Sequence, residues 1–417
     1  MSQPIYIAGG AHTKFAAHIA KAPGSGERED RYSIEQMLLH VTGSALADAK
    51  VGAAEIDGIW VGSCSPGAFA NQELLAPLTL EAEPDLRFTA VQQCTAACAS
   101  STAALHAAAD ALQSGRVNAA LVIGIEKMNL LGTAAVTEIL GRCSYWPEEG
   151  GHGLTFPGLF AQLGENYRNH HGIASERYRQ MLAAVAAANY RRGIHNPLAH
   201  FGPGSLPDKL QLTSAAAILD LPAESNPEIA APLHLHDCSP ISDGAAALVL
   251  VRGDSGLNGA GSRVELAGRA ISTDQLALSR REKNYALDGA RDAVSKAYRE
   301  AGISAADLDL AEVHDCFTSN QLLCLEALGL SDAGRAGEEY LAGGFGDDAR
   351  CQINLSGGLK SKGHPVGATG VSMHYFAYRQ LLGRAVGAAH PGNPQTAAVL
   401  NIGGSGVVNC TSILRAV

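Results

Sequence analysis

Ser356-Gly357-Gly358-Leu359-Lys360-Ser361-Lys362-Gly363-His364-Pro365, continued by Val366-Gly367-Ala368-Thr369-Gly370, sets one imidazole in a run of glycines and small residues. Neither helix nor strand propensity explains His364 between a glycine and a proline. A ring on such a loop reads as chemistry more readily than as support. Small neighbours leave room for the backbone to approach a reacting carbonyl. Two distant stretches have the same character: Cys94-Thr95-Ala96-Ala97-Cys98-Ala99-Ser100-Ser101 and His314-Asp315-Cys316-Phe317. Thiol nucleophilic catalysis needs a cysteine, an imidazole to take its proton and a second acid–base group for the leaving fragment. The three stretches together supply that set.

Each stretch also has a bland reading. Cys98 precedes Ser100-Ser101-Thr102, a helix-start signature. At a helix N-terminus the free N–H groups and the dipole are expected to lower the thiol pKa, and the same N–H groups can hold a developing oxyanion. The alternative for Cys98 is an inert core cysteine. His314-Asp315-Cys316 follows the apolar run Leu310-Ala311-Glu312-Val313, so it falls at a strand's C-terminal end, where α/β sites gather, unless it is only a polar strand end. Asn401-Ile402-Gly403-Gly404-Ser405-Gly406 lacks the Lys-Ser/Thr ending of a phosphate loop and reads as a turn with close backbone approach. His234, His236 and Cys238 alternate along one short run, but nothing elsewhere completes a ligand set, and no metal is expected.

Apolar runs at Ile5–Ala8, Gly58–Val61, Ala119–Ile125, Ala245–Val251, Val264–Ala270, Leu310–Val313 and Ala397–Ile402 are expected strands. They alternate with Ala-rich helical stretches at Ile34–Ala49, Ser100–Ser114, Ala286–Ala301, Asn320–Leu328 and Gly370–Leu382. That is the pattern of an α/β fold with buried sheets. Residues 34–125 run helix, strand, reactive loop, helix, strand, and residues 286–410 repeat the order, with Cys98 in the first loop and His364 in the second. Facing halves would bring both loops to one crevice. Pro, Gly and His break the pattern from Tyr145 to His236, so 128–233 reads as an insertion over the site, helical at Glu176–Arg192.

The chain's 417 residues, 46% hydrophobic and 17% charged, allow two or three domains with large cores. A formal charge of −10 argues against nucleic acid or an anionic membrane as partner. Nine dispersed cysteines read as reduced thiols. No secretory signal, transmembrane run or peroxisomal Ser-Lys-Leu ending is visible, so a soluble cytoplasmic protein is expected.

Taken together these residues resemble the thiolase superfamily over essentially the whole chain. Cys98 is followed at the family's distance by Leu121–Ile125 and Glu126-Lys127-Met128, and Ser239-Pro240-Ile241-Ser242-Asp243-Gly244-Ala245-Ala246-Ala247 looks like its loop before the last N-terminal strand. The Ser356–Pro365 stretch is a highly specific match. His314-Asp315-Cys316-Phe317 points to the subgroup related to the thiolase part of sterol carrier protein x, since other thiolases have Asn-Glu-Ala-Phe there. Asn189-Tyr190-Arg191-Arg192, Asn196-Pro197 and Phe201 are similar to that subgroup too.

The resemblance implies two βαβαβαββ halves in a five-layer α-β-α-β-α sandwich: 1–127 with 234–258, the inserted 128–233, and 259–417. It implies thiolysis of 3-oxoacyl-CoA, or the reverse Claisen condensation, with acyl-CoA and CoA as substrates and no cofactor. Cys98 would carry the acyl group, and His364 would take its proton. His314 and His364 would hold the thioester oxygen, and the N–H groups of Cys98 and Gly403 would form a second oxyanion hole. Ser239 would lie along the pantetheine arm, with Phe317 and Gly404 also against the substrate. The family implies a homodimer or homotetramer. Where typical thiolases have a second cysteine in Cys-x-Gly, this chain has Asn401-Ile402-Gly403, so Cys316 becomes the candidate proton shuttle. Cys94-Thr95-Ala96-Ala97 also departs from relatives that carry amide residues before the nucleophile, and Cys94 could compete with Cys98. The alternatives are a C-acyltransferase of the same fold working with partner proteins, and a non-catalytic acyl or lipid carrier.

Overall fold

The computed structural model describes residues 3–21, 28–257 and 263–417; the expected division of the halves at 258/259 lies outside them. Ten strands form one continuous sheet: β1 Ile5–His12, β2 Gly58–Gly62, β3 Ala90–Cys94, β4 Ala119–Glu126, β5 Gly244–Arg252, β6 Val264–Thr273, β7 Leu310–Val313, β8 Gln352–Ile353, β9 Thr396–Gly403 and β10 Val408–Ala416. Their order is β8-β7-β9-β10-β6-β1-β5-β4-β2-β3. Read outward from the β6–β1 join, each wing runs first, fifth, fourth, second, third strand of its half. The repeat seen as a pattern in the sequence is therefore a pseudo-two-fold in space. The join is short, with only Tyr6↔Glu265 and Ile7↔Val264 paired.

Within each wing the inner strands are parallel: β2 pairs with β3 and β4, and β7 with β8 and β9. Parallel neighbours need crossovers, and the crossovers are helices. Four matter here: α1 Ile34–Ala49, α2 Ser100–Gln113, α6 Asp288–Ala301 and α9 Thr369–Leu381. Strand side chains alternate between two cores. Ile59, Val61, Leu121 and Ile123 pack outward with Met37, Leu38 and Val41 of α1. Trp60, Ala120, Val122 and Leu248 face inward with Ala104, Leu105 and Ala108 of α2 and with Val371 and Phe376 of α9. α6 covers β6 and β10 of the second wing. The layers are thus α1, wing, α2 with α9, wing, α6. Both faces of the inner strands are buried, which is why they read as unbroken apolar runs.

The two central helices begin almost in contact. A Cβ on Gly124 would meet Ser101 Oγ at 2.7 Å and Ala368 Cα at 2.9 Å, and one on Gly370 would meet the Thr102 amide nitrogen at 2.5 Å. Ser101 Oγ accepts from the Val371 amide at 3.0 Å. Only glycine permits this approach, and it sets the loop before α2 against the loop before α9.

Between β4 and β5 the chain leaves the sheet and builds α3 Thr133–Gly141, α4 Phe156–His170 and α5 Ser175–Gly193. The short strands β3 and β8 and the strand β10 were not expected. β3 is a mostly exposed, polar Ala-Val-Gln-Gln-Cys edge, and β10 mixes polar and apolar residues on both faces. Among the described residues no helix is long and apolar enough to cross a membrane.

Candidate active site

Cys98 ends the loop after β3, one residue before the N-cap Ala99 of α2. Ala97 is held at φ 50°, in the left-handed region, so the chain turns sharply there and presents the next side chain inward. The Ser100 hydroxyl closes the turn, donating to Ala97 O and accepting from the Ala96 amide at 2.9 Å. A Cβ on Gly403 would lie 2.1 Å from Ala96 O, so that glycine lets β9 press against the loop.

His364 follows the short helix α8 Gly358–Lys362 and precedes α9. Gly363, at φ 110°, makes the turn. The His364 Nδ1 lies 2.7 Å from Thr369 Oγ1, and that hydroxyl donates to Pro365 O at 3.0 Å. With its proton committed to Pro365, Thr369 can only accept from the ring. The proton therefore sits on Nδ1 and leaves the Nε2 lone pair for the site.

His314 and Asn401 are neighbours because β7 and β9 are parallel partners in register Val313↔Leu400, and each is the next residue along. Asn401 Nδ2 donates to His314 Nδ1 at 2.9 Å and to Cys98 O at 3.2 Å, while its Oδ1 accepts from Thr102 Oγ1 at 2.7 Å. An amide NH₂ only donates, so His314 Nδ1 is the acceptor and Nε2 carries the proton. That Nε2 is buried with no partner among the described residues. It is a preorganised donor without an acceptor.

Cys98 Sγ and one ring nitrogen each of His314 and His364 lie within 4.8 Å of one another, and the two rings meet edge to face with centroids 5.1 Å apart. Geometrically the trio could face a soft cation. His314, however, presents N–H where a metal needs a lone pair, so the set is arranged to donate to a ligand oxygen. Asp315 turns away from the cavity and holds α8, accepting from the Leu359 and Lys360 amides at 2.6 and 3.0 Å.

Cys98 and His364 sit at a cavity of about 570 Å³, while His314 is fully buried behind them and is not among its lining residues. Cys316, Phe317, Ser239 and Gly404 line it with Cys98 and His364, so most of the expected site residues converge. Gly403 does not line it. The backbone N–H groups that interact with the Cys98 sulfur are those of Cys98 and Gly404. Cys94 closes β3 and is not among the lining residues. His236 is turned to the Tyr190 hydroxyl at 2.8 Å, away from His234.

The expected low thiol pKa is not found. Burial pushes the Cys98 thiol well above its ordinary value, reinforced by Cys143 and the buried Glu126, and the two N–H groups only partly offset this. Burial and the Lys362 ammonium push His364 down to about 3. Burial, His364 and Lys362 also lower His314. The resting pair is neutral thiol and neutral imidazole, because burial disfavours either charge.

Sequence reasoning passed over the amide of Asn401, Thr369, the cavity thiols Cys64 and Cys143, and the aromatic wall in which Phe160 lies 4.8 Å from Phe317. Only Asn401 left a signal, as the one polar residue of an otherwise apolar strand interior.

The thiolase N-terminal domain family matches residues 6–254, and the thiolase C-terminal domain-like family matches 270–416. An acetyl-CoA acetyltransferase of Methanothermobacter thermautotrophicus is 32% identical over 90% of this chain and 92% of its own. Sterol carrier protein 2 of Rattus norvegicus is 28% identical over 75% of this chain, which spans 56% of that protein. Among solved structures, the Ltp2-ChsH2(DUF35) aldolase superposes with a TM-score of 0.79 at 20% identity, covering 99% of this chain and 98% of the other, a likeness of fold. The chain belongs to the thiolase superfamily, in its sterol-carrier-protein-x-like branch, and by that membership is an acyltransferase.

Proposed function

We propose that the chain is a thiolase for CoA thioesters, cleaving 3-oxoacyl-CoA with CoA or running the reverse Claisen condensation through an acyl-enzyme on Cys98. One observation carries this: the Cys98 sulfur and the His314 and His364 rings, remote in sequence, come within 4.8 Å of one another, where Cys98 and His364 line one cavity with Cys316 in its wall.

The resting neutral pair sets the order of events. Cys98 adds to the acyl carbonyl as its proton passes to His364 Nε2, so negative charge develops on the carbonyl oxygen and not on a free thiolate. The N–H groups of Cys98 and Gly404 stand beside that sulfur to receive it. In the other half-reaction His314 Nε2–H, together with His364 while its Nε2 carries the proton taken from Cys98, holds the thioester oxygen of the other substrate as its α-carbon gains or loses a proton. Cys316 serves that proton. The thioester supplies the acidity, so the reaction as drawn uses no metal or redox cofactor. Acyl-CoA and CoA are its small-molecule partners, and a homodimer or homotetramer is the assembly proposed with it.

Incubation with acetyl-CoA followed by mass spectrometry should find one acetyl group on Cys98. A Cys98→Ala protein that still cleaved acetoacetyl-CoA would refute the assignment.

A further inference from the structure

Five of the nine cysteines line the single cavity that holds Cys98: Cys64, Cys98, Cys143, Cys238 and Cys316. Two of them are already in contact. Cys64 Sγ lies 3.5 Å from Cys143 Sγ. Cys64 is the second residue beyond β2 and is held firmly, its amide donating to Glu126 Oε2 at 2.6 Å. Cys143 is the second residue beyond α3, in the segment between β4 and β5. Of the two, Cys143 is partly exposed and Cys64 buried, and Cys98 is buried as well. An oxidant entering the cavity therefore meets Cys143 and Cys238 before the buried thiols, and of these two Cys238 is the less reactive because burial pushes its thiol up to about 12.

We propose that Cys64 and Cys143 form a dithiol that a hydroperoxide converts to a disulfide before it oxidises Cys98. The Cys143 sulfur attacks the peroxide O–O bond, giving Cys143 sulfenic acid and releasing the alcohol, or water from hydrogen peroxide. The Cys64 sulfur then displaces hydroxide from that sulfenic acid, forming the S–S bond and a second molecule of water. The two thiols lose two hydrogens and two electrons, and the peroxide gains them. A disulfide spans about 2.05 Å, so the two side chains must close a gap of about 1.5 Å between them.

Reactivity runs in the same direction. The hydrogen bond from Cys64 lowers the Cys143 thiol pKa, whereas burial raises that of Cys98. Sulfenic acid forms on the thiolate. The bond would tie the segment carrying Cys143 to the loop after β2, alongside the Cys98 sulfur.

The test uses the full-length wild-type protein, freed of reductant and given hydrogen peroxide in steps up to one equivalent. Thiols are then blocked with N-ethylmaleimide under denaturing conditions and the peptides mapped by mass spectrometry. The expected first product is the Cys64–Cys143 cross-link, with the Cys98 peptide still fully labelled. In Cys64→Ser the cross-link is lost and dimedone traps Cys143 as the sulfenic acid. Oxidation of Cys98 at or before the cross-link, or pairing of Cys143 with any other cysteine, overturns the proposal. So does a wild-type protein whose Cys64 and Cys143 both remain labelled at one equivalent. The readout is the state of three thiols in wild-type protein. It is independent of any catalytic role for Cys98 and of whether the variant folds.

Discussion

Replacing Asn401 with leucine keeps the side-chain volume and removes the amide that links three groups. Thr102 loses its acceptor, and His314 Nδ1 and the Cys98 carbonyl lose their donor. A buried polar group left without a partner costs about 1–3 kcal/mol, so the three together should lower stability by at least about 3 kcal/mol. The larger consequence is at Nε2. With no N–H directed at Nδ1, the ring is free to carry its proton there, and the donor beside Cys98 and His364 is lost for that fraction of molecules. Removing an oxyanion donor outright costs about 10²–10³ in kcat, which sets the ceiling.

The expected result for Asn401→Leu in acetoacetyl-CoA thiolysis is a fall in kcat of about 10²-fold with a much smaller change in KM. Asn401 acts through His314, so the two losses should not add: Asn401→Leu in a His314→Ala background should cost little further. Circular dichroism and a thermal melt separate folding from chemistry. A variant that folds and keeps more than about a third of wild-type kcat, below one factor of ten in 1.4 kcal/mol terms, would refute the tautomer reasoning. So would full additivity with His314→Ala.

Three further outcomes follow from the geometry. Cys316→Ala should still take up acetyl on Cys98 but lose the proton step on the second substrate, giving acyl-enzyme without turnover; unchanged turnover would move the shuttle to another group. Alkylation of Cys98 by iodoacetamide in the free protein should be slow at pH 6 and rise continuously to pH 9 and beyond, because a thiol held above its ordinary pKa gains thiolate throughout that interval; fast alkylation with a plateau near pH 6 would show a preformed ion pair instead. Gly403→Ala should displace the Cys98 loop, since its Cβ would stand 2.1 Å from Ala96 O against backbone that cannot yield. Acetyl uptake and melting temperature should fall together, and a variant matching wild type in both would contradict the close approach.

Much of the fold was legible because both faces of the inner strands are buried. A run such as Ala119–Ile125 of β4, flanked by α1 on one side and α2 on the other, must be apolar at every position, and such a run is visible without coordinates. The edge strand β3 has no such constraint and reads as loop. The helix entries were visible in the small residues around Cys98 and His364. The same stretches hold the proposed nucleophile and base, because few side chains do that chemistry and these stand where backbone must come close.

The electrostatics were not legible. A helix N-terminus just after Cys98 foretold a lowered thiol pKa, but the cost of burying a charge depends on everything packed around the sulfur, and here it outweighs two N–H groups. Nor could the sequence show which amide meets the sulfur, since a one-residue difference between Gly403 and Gly404 is settled by how β9 lies on the Ala96 loop. The proton positions on His314 and His364 depend on Asn401 and Thr369, and the first of these pairs is 87 residues apart. The sequence by itself determined the family, the layered halves and the side chains proposed to react, because composition and local spacing encode burial and chemistry. Only the tertiary structure decided charge state, tautomer and which thiols touch, because each of these depends on distances between segments that no local pattern records.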